Sequence, residues 1–135
     1  MKNHLLQFID LCKKEFGRKL ISVILFGSRA KGQYHDLSDF DFYIVVKEEN
    51  EQKKWNLLKQ FPFSCDIIMR KEENIGYYLK NLSAIDLEVI NTGRSIYGKD
   101  IIAKYKPLLR DITKEHHLVN REHLGKGVWE IGFAG

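Results

Sequence analysis

A chain of 135 residues, 44% hydrophobic and 30% charged, has the composition of one soluble globular domain. Its formal net charge of +4, from 22 Lys and Arg against 18 Asp and Glu, suits an anionic substrate but is too small to argue for direct nucleic-acid binding. Cys12 and Cys65 have neither the spacing of a zinc site nor the number of a disulfide framework, no signal-peptide h-region follows Met1, and no apolar run approaches a membrane span, so the expectation is a cytoplasmic protein with reduced thiols.

Residues 4–16 place Leu5, Phe8, Ile9, Cys12 and Phe16 at helical spacing, and Gly17 ends the run. Residues 20–26 read as a buried strand. Gly27 and Ser28 break it, residues 29–31 predict a short helix closed by Gly32, and residues 33–38 form a polar loop. Residues 40–46 are a second strand. Residues 48–60 are a charged helix carrying Trp55, Leu57 and Leu58, stopped by Pro62, and residues 63–69 are a third strand. Helices follow over 72–81 and 83–92, with Gly93 as the C-cap of the second. Residues 95–98 are a short extended piece. A last helix covers 100–123, with Pro107 near a bend or restart, and the tail 125–135, with four glycines, is expected to fray. Alternation of strands and helices predicts one α+β (or α/β) domain over residues 1–124, a small mixed sheet flanked by helices with a helical C-terminal part.

Two features carry chemistry. Asp39 and Asp41 stand two apart where a strand begins, so their side chains point the same way. Two carboxylates side by side repel, and the apolar neighbours Phe40, Phe42 and Ile44 make a purely solvated pair a poor explanation. A divalent cation resolves the conflict, since carboxylate oxygens are what Mg²⁺ prefers. Gly27 and Ser28 follow a hydrophobic strand, where glycine permits close backbone approach and a turn can present N–H groups to an anion. Alone, neither feature is specific: Gly-Ser is more often a plain turn with a serine cap.

Together they are specific. Gly-Ser at 27–28, ten intervening residues and Asp39-x-Asp41 resembles the signature of the DNA-polymerase-β-like nucleotidyltransferase superfamily. The string Gly27-Ser28-Arg29-Ala30-Lys31-Gly32, then Ser38-Asp39-x-Asp41, resembles its minimal nucleotidyltransferase subfamily. The resemblance implies a nucleotidyltransferase fold and a third carboxylate on a neighbouring strand, for which Asp66 is the only acidic residue of the third predicted strand. It implies catalytic and metal-binding roles for Asp39, Asp41 and Asp66, two Mg²⁺ ions, and ATP as substrate. It implies nucleotide binding by Gly27 and Ser28, with Arg29 and Lys31 flanking the turn and helping to hold the triphosphate, and Ser38 at the same site orienting Asp39 or shaping the loop.

Stand-alone chains of this kind resemble antitoxins paired with HEPN-domain ribonuclease toxins, where the implied activity is transfer of AMP to a tyrosine of the toxin. Two other readings stay open here: a non-catalytic antitoxin acting by occlusion, and an antibiotic-type small-molecule nucleotidyltransferase. No membrane partner is expected, and a homo-oligomer is left open. His116, His117 and His123 fall in the predicted last helix and read as surface residues rather than metal ligands.

Overall fold

Six of the seven residues of Phe40–Val46 are apolar or aromatic, and all seven are buried. Such a strand must lie inside a sheet with both faces covered. In the computed structural model, which describes residues 1–120 and 129–131, it does. The strand β2 (Phe40–Val46) lies between β1 (Leu20–Phe26) and β3 (Cys65–Lys71), and β4 (Arg94–Gly98) completes the order β3-β2-β1-β4. β1 pairs antiparallel with β2 and β4, whereas β2 and β3 are parallel, so the sheet is mixed as expected. A parallel pair needs a crossover. The helix α2 (Glu51–Gln60) supplies it, and the Asn50 side chain accepts from the Lys53 N–H at its N-terminus.

The sheet's two faces follow from the two-residue period of its strands. Phe8, Cys12 and Phe16 of α1 (Lys2–Phe16) pack with Leu57 of α2 against the face that carries Phe42 and Ile44. The Phe8 and Phe42 rings stack with centroids 3.6 Å apart. The opposite face, with Ile24, Phe26, Tyr43 and Val45, lies under α3 (Ile75–Lys80), α4 (Ala84–Thr92) and α5 (Ile101–His116). A buried polar knot joins α4 to the sheet. Asp86 is fully buried; its Oδ1 accepts from the Tyr43 hydroxyl at 2.6 Å and from Arg70 Nε at 3.1 Å, and its Oδ2 from Arg70 at 3.1 Å.

Several boundaries differ from the expectations. β3 begins at Cys65 rather than 63, because Phe63 packs against the rings of His4, Phe40 and Phe61 instead of entering the ladder. The span 72–81 divides into a 3-10 turn, Glu72–Asn74, and the short α3. Gly93 follows α4 in an extended conformation, φ −68° and ψ 164°, not a left-handed one. A Cβ there would meet the Val89 carbonyl and Ile24, so it is glycine for close packing. α5 runs through Pro107 and ends at His116, short of the expected 123. His117 takes a left-handed conformation (φ 52°) and turns the chain into β5 (Leu118–Asn120), paired antiparallel with β6 (Trp129–Ile131). Of the three histidines, His116 is the last residue of α5 and His117 caps it, while His123 lies outside the described residues. β6 occupies part of the tail expected to fray, and the rest of that tail lies outside the described residues. No described helix is long and apolar enough to cross a membrane.

Candidate active site

The strands bring the predicted carboxylates to one end of the sheet. Phe26, the last residue of β1, pairs with Asp41, and Asp41 pairs across the parallel ladder with Asp66. Phe40, Phe42 and Ile44 point toward α1, so Asp41 points to the other face, and Ile67 and Met69 place Asp66 on that face by the same alternation. Asp39, two residues before Asp41, precedes the strand. Asp41 is buried at 5% exposure, whereas Asp39 and Asp66 are exposed.

A cavity of about 370 Å³ opens at this end, lined by Ser28, Lys31, Gln33, Ser38, Asp39, Asp41 and Asp66. Six residues expected from the sequence to act there thus share its wall. Burial, then the charges of Asp66, Asp39 and Asp41, push the Cys65 thiol up to about 11, a sign of the negative potential at this end.

Gly27 sits beside the cavity at φ 74°, and a Cβ there would overlap the Asp41 carboxylate. The backbone has no alternative residue that meets both conditions. Residues 28–32 form one hydrogen-bonded turn rather than the expected helix. The Ala30 and Lys31 N–H groups donate to the Gly27 carbonyl, and Gln33 N–H donates to the Ser28 carbonyl at 2.9 Å. With Gly32 at φ 72°, this last bond closes the turn as a helix C-terminus would, after a single turn.

Arg29, expected at the phosphates, is not among the lining residues. It is 6% exposed, and its Nε donates to the Ser38 carbonyl at 3.0 Å and a terminal nitrogen to the Asp36 carbonyl at 3.4 Å. Its guanidinium lies 3.9 Å from the Phe40 ring centre and 4.8 Å from that of Tyr34. Arg29 thus braces the loop that delivers Asp39, because a planar cation with several donors can hold two carbonyls and two rings at once. Ser38 both lines the cavity and shapes that loop: its Oγ accepts the His35 N–H at 3.0 Å.

Two acidic residues escaped the sequence reading. Glu88, on α4, is 1% exposed; its Oε1 lies 2.8 Å from Lys31 Nζ and accepts from the Thr92 hydroxyl at 3.0 Å, and its Oε2 has no hydrogen-bond partner. Asp86 is the other. Their signal was present: two acids within the apolar run Ile85–Ile90, where a solvated face would show more polar neighbours.

Among the described residues, no three carboxylate, imidazole or thiol groups are gathered closely enough to cage a metal ion. The carboxylates are instead spread along one wall. That donor set suits Mg²⁺, which binds through one or two carboxylates and completes its shell with water and substrate phosphates.

Residues 7–102 match the family model described as Polymerase beta, Nucleotidyltransferase. The chain is 31% identical over 137 residues to "Putative protein adenylyltransferase MJ1305" of Methanocaldococcus jannaschii, across 85% of this chain and 92% of that one. Its fold is shared with a chain of a toxin–antitoxin crystal structure with AMP-PNP, at a TM-score of 0.59 and 18% identity over 84% of this chain and 92% of that one. It is shared also with a chain from the complex of tri-AMPylated Shewanella oneidensis HEPN toxin with MNT antitoxin, at a TM-score of 0.56 and 16% identity over 86% and 92%.

Proposed function

Since this chain belongs to the Polymerase beta nucleotidyltransferase family and is a nucleotidyltransferase, we propose that it transfers AMP from ATP to a protein hydroxyl, a tyrosine of a HEPN-domain partner, as the antitoxin of a two-component module. The observation that carries the reading is the alignment of Asp41 with Asp66 on adjacent strands while Gly27, which leaves no room for a side chain, lets the Ser28 turn close against Asp41. The name of the relative, protein adenylyltransferase, supports the reaction. An AMPylated HEPN toxin in one structural neighbour and AMP-PNP in another support the partner and the nucleotide.

The residues divide the work by position. Ser28 and Lys31 hold the outer phosphates of the nucleotide, and Ser38 holds the loop that sets Asp39. Asp39, Asp41 and Asp66 would hold Mg²⁺, which when bound would supply positive charge to offset the negative charge that develops in the displacement. Asp66, the carboxylate farthest from the Ser28 turn across the strand order, accepts the proton of the acceptor hydroxyl. The acceptor oxygen bonds to the α-phosphorus as the bond to the bridging oxygen breaks, and pyrophosphate leaves toward Ser28 and Lys31.

The test is incubation with Mg²⁺ and ATP labelled at the α-phosphate, with and without a HEPN-type product of the adjacent gene. Label should appear on that protein, and Asp39→Asn should abolish it while the chain stays folded. Tight binding of the neighbour without label, or label undiminished in Asp39→Asn, would overturn the reading.

A further inference from the structure

A second cavity, of about 490 Å³, meets the first at Asp41 and Asp66, which line both. Its remaining wall has a different character. Phe26, Trp55, Leu58, Ile67, Ile68 and Ile85 contribute apolar surface, and Lys54 is its one cationic residue among the described residues. Trp55 is 53% and Ile85 39% exposed, unusual for large apolar side chains flanking a pair of carboxylates.

The cavity lies along β3, an edge strand of the four-stranded sheet. It draws residues from both faces of that edge. Trp55 and Leu58 come from α2, on the α1 side, with Ile67 facing the same way. Asp66, Ile68 and Ile85 belong to the other side, where α4 packs. An edge strand presents backbone donors and acceptors in a row, and an extended peptide satisfies such a row by adding a strand. Side chains of an added strand alternate between the faces. One set would meet Asp66 and Ile85, and the next would meet Trp55 and Leu58.

We propose that the outer edge of β3, unpaired among the described residues, is the acceptor site: a polypeptide segment adds as an extended strand along it, its hydroxyl side chain directed at Asp66 and an adjacent apolar side chain seated against Trp55. The proposal rests on the transfer reading above and adds how the acceptor is recognised. Continuity with the carboxylates supports it, since an in-line attack must come from the side opposite the leaving pyrophosphate. Ser28 and Lys31 line only the first cavity, so that opposite side is the second one. A nucleobase there would separate the acceptor from Asp66.

The experiment compares Trp55→Ala and Ile85→Glu with Leu6→Glu, an exposed control on α1 in a groove that includes β4 residues, at the opposite edge of the sheet. KM for the HEPN-type acceptor protein and the affinity for AMP-PNP are measured for each. Trp55→Ala and Ile85→Glu should each raise the acceptor KM about tenfold or more, as loss of an interface anchor does, and leave AMP-PNP affinity within about twofold. The control should change neither. An unchanged acceptor KM, or a loss of AMP-PNP affinity, overturns the proposal and, in the second case, gives the cavity to the nucleobase. If the parent protein binds the acceptor but labels nothing, the transfer reading fails by itself. The docking site then stands or falls on whether the two variants weaken that binding tenfold. Absence of any binding overturns both.

Discussion

Gly27 and Asp41 stand so close that a single methyl group on Gly27 would overlap the Asp41 carboxylate. The turn that presents Ser28 and the strand that presents Asp41 are therefore one rigid unit, set by contact between residues fourteen apart in the chain. Gly27→Ala adds a left-handed strain of about 1–3 kcal/mol and displaces the carboxylate. Denaturant unfolding should show that loss. A shift of about an ångström at the reacting centre should lower transfer roughly a hundredfold, more than the stability change alone explains. Undiminished transfer at saturating ATP would show that the close contact has no catalytic consequence.

The Lys31–Glu88 pair makes an asymmetric prediction. Lys31→Ala leaves a carboxylate at 1% exposure without its cation, which should cost about 3–5 kcal/mol. Lys31→Met combined with Glu88→Leu removes both charges and should cost far less. Urea denaturation of the two proteins separates the cases, and equal losses would mean that the ion pair does not govern Glu88. If the proposed assignment of the first cavity to the nucleotide holds, the double variant should nevertheless raise KM for ATP, because Lys31 is the cation among that cavity's lining residues.

Asp86 is the anchor of α4. Asp86→Ala leaves the Arg70 guanidinium, its side chain 18% exposed, without a carboxylate and the fully buried Tyr43 without an acceptor. A loss of about 3–5 kcal/mol is expected. Tyr43→Phe removes one hydrogen bond and should cost about 0.5–1.5 kcal/mol. Thermal unfolding orders the two, and a Tyr43→Phe loss as large as that of Asp86→Ala would contradict this account of the knot.

Acid stability should depend on Glu72. Hydrogen bonds from Lys99 and then Lys104 hold its carboxyl below the ordinary value of 4.5. The unfolded chain thus takes up the proton first, and the stabilisation is present above pH 4.5 and lost as the pH falls through the lower folded value. Glu72→Gln should lower the melting temperature near neutrality and narrow that difference on acidification below pH 4. A difference that widens in acid would reverse the sign. The effect should be small, because both lysines are about half exposed.

The local features of the site were legible because local rules produce them. β1 and β2 have the expected limits, since unbroken apolar runs bounded by Gly27 and by a polar loop leave little choice. The spacing of Gly27-Ser28 to Asp39-x-Asp41 is a property of the chain itself. Arg29 and Lys31 lie in the turn after Gly27 that the sequence marks, but their partners were not legible: the carbonyls of Asp36 and Ser38 for one, and Glu88, fifty-seven residues away, for the other.

The sequence by itself determined which strands are buried, which residues turn between them, and which acids are candidates for the chemistry. Only the tertiary structure decided that Asp66 stands beside Asp41, because that depends on the parallel register of β2 and β3 set by the α2 crossover. It alone decided that α5 stops at His116, where a left-handed residue lets β5 and β6 pair. Periodicity reports what one segment buries. Register, edge position and charge partners depend on what other segments bring against it, and no window of the chain contains that information.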